Sequence, residues 1–104
     1  MAAMKHPEAS ELQLEKVLHA LSDSLRLAIV RQLAAEGVAS CAALDAGRPK
    51  STMSHHFRVL REAGLVRTRT EGVTHMNELR REDLDSRFPG LLAAVLAVGT
   101  TSHT

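Results

Sequence analysis

A chain of 104 residues is long enough for one compact domain, and a domain of that size buries a limited core unless a second copy adds to it. With 44% hydrophobic and 24% charged residues, no run of about 18 apolar residues and no apolar stretch in the opening MAAMKHPEAS, neither a membrane span nor a secretory signal is expected, and a cytoplasmic protein is. The net charge of +1 conceals an asymmetry: residues 48 to 81 hold eight basic side chains against three acidic ones, a local +5, while each flank carries −2. That local field suits a polyanionic partner, although a solvated basic face would carry the same charge.

Taken in chain order, Pro7 fits the first turn of a helix, and Leu14, Val17, Leu18 and Leu21 follow at the spacing of one apolar face, so a first helix is expected over about 8–21. Ser22 and Asp23 offer capping oxygens to a second helix from Leu25 to Ala35, which Gly37 stops. Ser40 caps a short third helix, Cys41 to Ala46, closed by Gly47. A fourth runs from about Pro49 or Lys50 to Ala63, with Gly64 at its end, so GRP is a tight turn between helices three and four. LVRTRT and VTHMNEL then read as two short strands flanking a turn at Glu71-Gly72, with Arg67 and Arg69 alternating onto one face. REDLDSR offers a short turn, and Pro89 starts a last helix, about 88–98, with an apolar stripe of Leu91, Leu92, Val95 and Leu96. The tail VGTTSHT is small and polar. No repeat or linker interrupts the chain, so residues 1–104 read as a single domain.

Three helices, a tight turn, a fourth helix, a two-stranded wing and a last helix are the order of a winged helix-turn-helix, mainly α with a two-stranded β wing. The stretch KSTMSHHFRVLREAGLV falls on its second, recognition helix. Met53, Phe57 and Leu60 share its inward face by spacing, which leaves Lys50, Ser51, Thr52, Ser54, His55 and Arg58 outward. Short hydroxyls, imidazole and cationic side chains at a helix N-terminus suit phosphates and base edges. A plain solvated helix would display a similar set.

LSDSLRLAIVRQLAAEG followed by KSTMSHHFRVLREAGLVRTRTEG resembles the ArsR/SmtB family of small bacterial winged-helix transcriptional regulators over roughly residues 16 to 80. The resemblance implies a homodimer built from the first and last helices, bound to palindromic double-stranded operator DNA and normally repressing until a ligand arrives. Matched position by position, it places Lys50, Ser51, Thr52, Ser54 and His55 on the DNA and Arg67 and Arg69 on the wing. His56, phased toward the protein body, reads as a packing or hydrogen-bonding residue, with a base contact as the alternative. The apolar positions Leu14, Val17, Leu18, Leu21, Leu91, Leu92, Val95 and Leu96 give the two terminal helices surface to bury, in a dimer or in the monomer core.

The resemblance also raises metal sensing. Cys41 is the one cysteine, so a thiolate cage is out of reach, and the last helix, FPGLLAAVLAV, holds no ligand. His6, His19, His75 and His103 are left, and a nickel or zinc site built from His6, His19 and His103 is the metal hypothesis, with ordinary surface histidines as the alternative. An effector could also be organic, redox or a partner protein. Catalysis is not expected: His55 and His56 are adjacent, not the i, i+4 pair that shares a metal, and no phosphate loop or nucleophile elbow occurs. A protein-interaction module on the same scaffold is the competing class.

Overall fold

The structure is a computed structural model, and it describes residues 4–98. His103 therefore lies outside the described residues. Helices dominate: α1 spans Leu14–Leu21, α2 Ser24–Glu36, α3 Cys41–Asp45, α4 Lys50–Ala63, α5 Arg81–Arg87 and α6 Leu91–Ala97. The strands β1 Val38–Ser40, β2 Val66–Glu71 and β3 Thr74–Leu79 form one antiparallel sheet in the order β1-β3-β2.

The first helix is shorter than the expected 8–21 and begins at Leu14, where the apolar spacing begins. Before Leu14 the chain is a strap with a single 3-10 turn at Ala9–Glu11, closed where Glu8 N–H donates to the Glu11 carboxylate at 2.8 Å. Pro7 starts no helix. Leu12, on this strap, is 1% exposed and sits over the end of α4 at Gly64, which adopts φ 88°. A Cβ at Gly64 would collide with Leu12 Cδ2, so the glycine is needed both for its backbone and for the strap's approach.

Asp23 caps α2 as the sequence suggests: its Oδ2 accepts from Leu25 N–H at 2.9 Å and Arg26 N–H at 3.0 Å. Ser40 caps α3 by accepting from Ala43 N–H at 3.1 Å. The strand between them, β1, is absent from the two-stranded expectation. Its three residues are too few to show a period, and its pairing, Ala39 opposite Asn77, is made across the chain. The hairpin turn is Gly72-Val73, with Gly72 at φ 64°, one residue later than Glu71-Gly72. REDLDSR is a full helix, and the last helix starts at Leu91, two residues after Pro89.

The core gathers one side of each element. Val17, Ile29, Val30, Leu33, Met53, Leu60, Leu65, Val66, Leu84 and Leu92 are all 2% exposed or less. Each such side chain contributes about 1.5–3 kcal/mol by leaving water, so the sheet and six helices share one centre. That centre holds α4 by Met53, Phe57, Leu60 and Ala63 and turns the remaining face outward.

Candidate nucleic-acid interface

With that inward stripe anchored, Lys50, Ser51, Thr52, Ser54, His55 and Arg58 are all exposed on the first half of α4. The six side chains form a continuous polar surface, with no acid among them. The tight turn before α4 includes Ala46 at φ 51° and Gly47 at φ 80°, and it sets α3 and α4 as consecutive helices of a helix-turn-helix.

Behind that surface lies a buried guanidinium. Arg26 is 6% exposed, although it is charged. Its Nε donates to Ala20 O at 2.8 Å and its Nη2 to His19 O at 3.3 Å, which satisfies carbonyls at the C-terminal end of α1. Its Nη1 lies 3.1 Å from His56 Nδ1. Asp23 Oδ2 is also 3.8 Å from that nitrogen, but the two contacts demand opposite protonation states. A guanidinium only donates, and its contact is shorter, so Nδ1 is the acceptor and His56 carries its proton on Nε2. Asp23 and His56 are therefore not an ion pair. The Asp23 carboxyl is held below its ordinary value chiefly by the Arg26 backbone N–H, against a smaller opposing effect of burial, with the charge of the Arg26 guanidinium and the Leu25 N–H adding to the lowering. His56 thus faces the protein body. Arg26 precedes Ile29, Val30 and Leu33 on the apolar face of α2, and its helical phase is the signal that could have found it.

In the wing, register separates two faces. Val66 pairs with Leu79, Thr68 with Asn77 and Thr70 with His75, while Arg67 pairs with Glu78 and Arg69 with Met76. The first set is turned to the helices: Val66 and Asn77 are fully buried, and Thr68 Oγ1 donates to Asn77 Oδ1 at 2.7 Å. Asn77 Nδ2 in turn donates to Ala39 O and lies 3.3 Å from Cys41 Sγ, which ties β3 to the start of α3. Arg67 and Arg69 point the same way, as alternation requires, onto the opposite face. There Arg67 meets Asp83 at 3.6 Å, and Arg69 meets Glu71 at 2.7 Å and Glu78 at 3.7 Å. Half-exposed pairs of this kind contribute little to stability, but they reduce the positive field that the two arginines offer.

The outer edge of the sheet is β2, and the strap covers it: Thr68 N–H donates to His6 Nε2 at 3.0 Å. His6 must be neutral to accept. Burial, followed by the guanidinium charges of Arg67, Arg80 and Arg61, holds its pKa below the ordinary 6.5. His19, the second member of the metal hypothesis, is exposed on α1. Among the described residues no three His, Cys, Asp or Glu side chains gather as a metal site.

The apolar stripes of the terminal helices divide. Val17, Leu21 and Leu92 are in the chain's own core, at 1%, 9% and 2% exposure, whereas Leu14 and Leu18 stand out at 43% and 46%. Leu91, Val95 and Leu96 are half-buried against the core. No helix among the described residues is long and apolar enough to cross a membrane.

A polar, acid-free helix face held out beside a three-stranded sheet with a projecting hairpin defines a winged helix-turn-helix, a DNA-binding class. Comparison with known proteins agrees. A helix-turn-helix domain family matches residues 21–69. An uncharacterised helix-turn-helix transcriptional regulator of Bacillus subtilis, YceK, is 40% identical over 80 residues, covering 74% of this chain and 80% of that one. The arsenical resistance operon repressor of Staphylococcus xylosus is 36% identical over 74 residues, 70% and 71% of the two chains. The crystal structure of the transcriptional repressor BigR from Xylella fastidiosa superimposes with a TM-score of 0.59 at 30% identity, over 72% of this chain and 85% of that one. The chain belongs to the ArsR/SmtB family of winged helix-turn-helix transcriptional regulators. Its family consists of regulators, not enzymes.

Proposed function

We propose that the chain is a dimeric, cytoplasmic repressor that binds palindromic operator DNA and is released by an effector. The observation that carries this reading is the exposed face of α4, where Lys50, Ser51, Thr52, Ser54, His55 and Arg58 stand clear of the core that Met53 and Phe57 anchor. Ser54 and His55 read base edges, and the cationic side chains, with Arg67 and Arg69 at the wing's outer face, supply the phosphate term. Two half-sites one helical turn apart, about 34–36 Å, require a two-fold pair of such helices. Leu14 and Leu18 supply the apolar surface on α1 that a second copy covers, with the half-buried Leu91, Val95 and Leu96 on α6.

Fluorescence anisotropy on DNA from the gene's own upstream region, over a salt series, tests the reading. A dimer with roughly 6–10 phosphate contacts loses about 10³- to 10⁵-fold in affinity between 50 and 200 mM salt. Ser54→Ala and His55→Ala each cost about 1–3 kcal/mol and relax sequence preference. Binding that ignores salt, or variants that bind like wild type, would favour a protein-interaction role for the same face.

A further inference from the structure

Arg80, between β3 and α5, is 4% exposed, and its guanidinium is only partly matched. Its Nε and Nη2 both lie 3.1 Å from Asp83 Oδ2. The guanidinium fork is rigid, so the edge that meets Asp83 leaves Nη1 directed away from it. Nη1 is shut off from solvent and has no hydrogen-bond partner among the described residues. A charged donor in that state is costly, and it calls for an acceptor. Asp83 is already shared, because the same Oδ2 lies 3.6 Å from Arg67 Nη2. Arg61, in the last turn of α4, is half-buried and enters none of the described salt bridges. His6, on the strap, marks where these charges converge: after burial, Arg67, Arg80 and Arg61 each lower its pKa, and the one opposing effect is a hydrogen bond to the Met4 backbone. Three guanidiniums from the wing, the end of β3 and α4 therefore share one carboxylate, a local excess of two positive charges.

We propose that this cluster binds a small, free dianionic oxyanion, a phosphate group, held by Arg80 Nη1 together with Arg61 and Arg67. The charge of such an ion equals the excess, and its oxygens accept the paired N–H bonds that a guanidinium presents. A DNA strand fits poorly. Each of its phosphates carries one negative charge, and a duplex backbone does not reach a donor that has no exposed surface. A small ion does once the strap shifts, and the strap is lightly held here: among the described residues His6 meets the sheet through one bond, from Thr68 N–H. Beside a dianion the imidazole gains a proton and turns from acceptor to donor, so binding releases Thr68 N–H.

Inorganic phosphate is the probe, added to the DNA-free protein at constant ionic strength, with acetate as the monovalent comparison. Phosphate is expected to raise the melting temperature saturably, as a ligand of the folded state does, and acetate to leave it nearly unchanged. In NMR titrations the Thr68 amide moves with the same half-saturation, and the His6 ring titrates at higher pH with phosphate than without it. Arg61→Gln, at a half-buried position, should fold and lower phosphate affinity about tenfold through loss of a charge-assisted contact. Arg80→Lys keeps a cation for Asp83 without the second arm and should lose as much; if that variant fails to fold, Arg61→Gln decides. A rise that is linear in phosphate and equal in Arg61→Gln is general salt stabilisation and overturns the site. Weaker operator binding by Arg61→Gln with an unchanged phosphate response makes the cluster a DNA contact and overturns it as well. Neither result touches the recognition-helix reading, which the Ser54 and His55 variants test separately.

Discussion

Arg26 offers the most direct test of how the first helix is tied to the recognition helix. Arg26→Met keeps most of the apolar stem and removes every donor. Ala20 O then loses its guanidinium partner in a fully buried setting, which costs about 1–3 kcal/mol. His19 O keeps Ser22, whose N–H and hydroxyl donate to it at 3.1 and 2.6 Å, so it adds little. His56 Nδ1, on a side chain 14% exposed, loses a hydrogen bond worth about 0.5–1.5 kcal/mol. Relief from burying a cation offsets part of this, and about 2 kcal/mol of net loss is expected. Arg26→Ala also loses the packing of the stem, about 0.8 kcal/mol per methylene, and should approach 4 kcal/mol. Urea denaturation reads these values as a lower midpoint at constant slope. Because a domain of this kind has only about 5–15 kcal/mol in hand, the alanine variant should be near the limit of folding. A double-mutant cycle then separates the two contacts of His56. Arg26→Met with His56→Ala should couple by about 1 kcal/mol, and Asp23→Ser, which keeps the cap but removes the charge, should not couple with His56→Ala. A loss below about 0.5 kcal/mol for Arg26→Met, or stronger coupling through Asp23, would refute the assignment.

Three further outcomes follow from the burial of particular groups. His6 has its folded-state pKa depressed below 6.5, so the folded protein binds fewer protons than the unfolded chain; the contribution is complete above 6.5 and is lost as pH falls through the folded value. Thermal melts of wild type should therefore fall more steeply toward acid than those of His6→Gln, whose amide oxygen still accepts from Thr68 N–H without titrating. Leu18→Glu, at a side chain 46% exposed, should leave the fold intact and shift sedimentation to monomer, while Leu92→Glu, at 2%, should unfold the chain by burying an unpaired charge. Gly64→Ala combines a left-handed residue with a collision against Leu12, and should lower stability by about 2 kcal/mol, measurable as a midpoint shift of roughly 8–16 °C.

The helical order, the caps at Asp23 and Ser40, and the inward side of α4 are legible in the sequence, because these depend on neighbours within a turn or two: the Met53, Phe57, Leu60 spacing and the capping oxygens are local facts. The sequence also carried the family, since the recognition-helix stretch and its upstream helix are contiguous. It could not carry β1, whose three residues become a strand only by pairing with β3 some 38 positions away. Alternation put Arg67 and Arg69 on one side of β2, but which side faces the helices was decided by the burial of Val66, Thr68 and Asn77, and that packing turned the arginines outward and His75 inward. Periodicity likewise grouped Leu14, Val17, Leu18 and Leu21 as one stripe. Only the tertiary structure divided it, because a helix lying on a core has room there for part of its apolar arc, and the rest is left for whatever the chain meets.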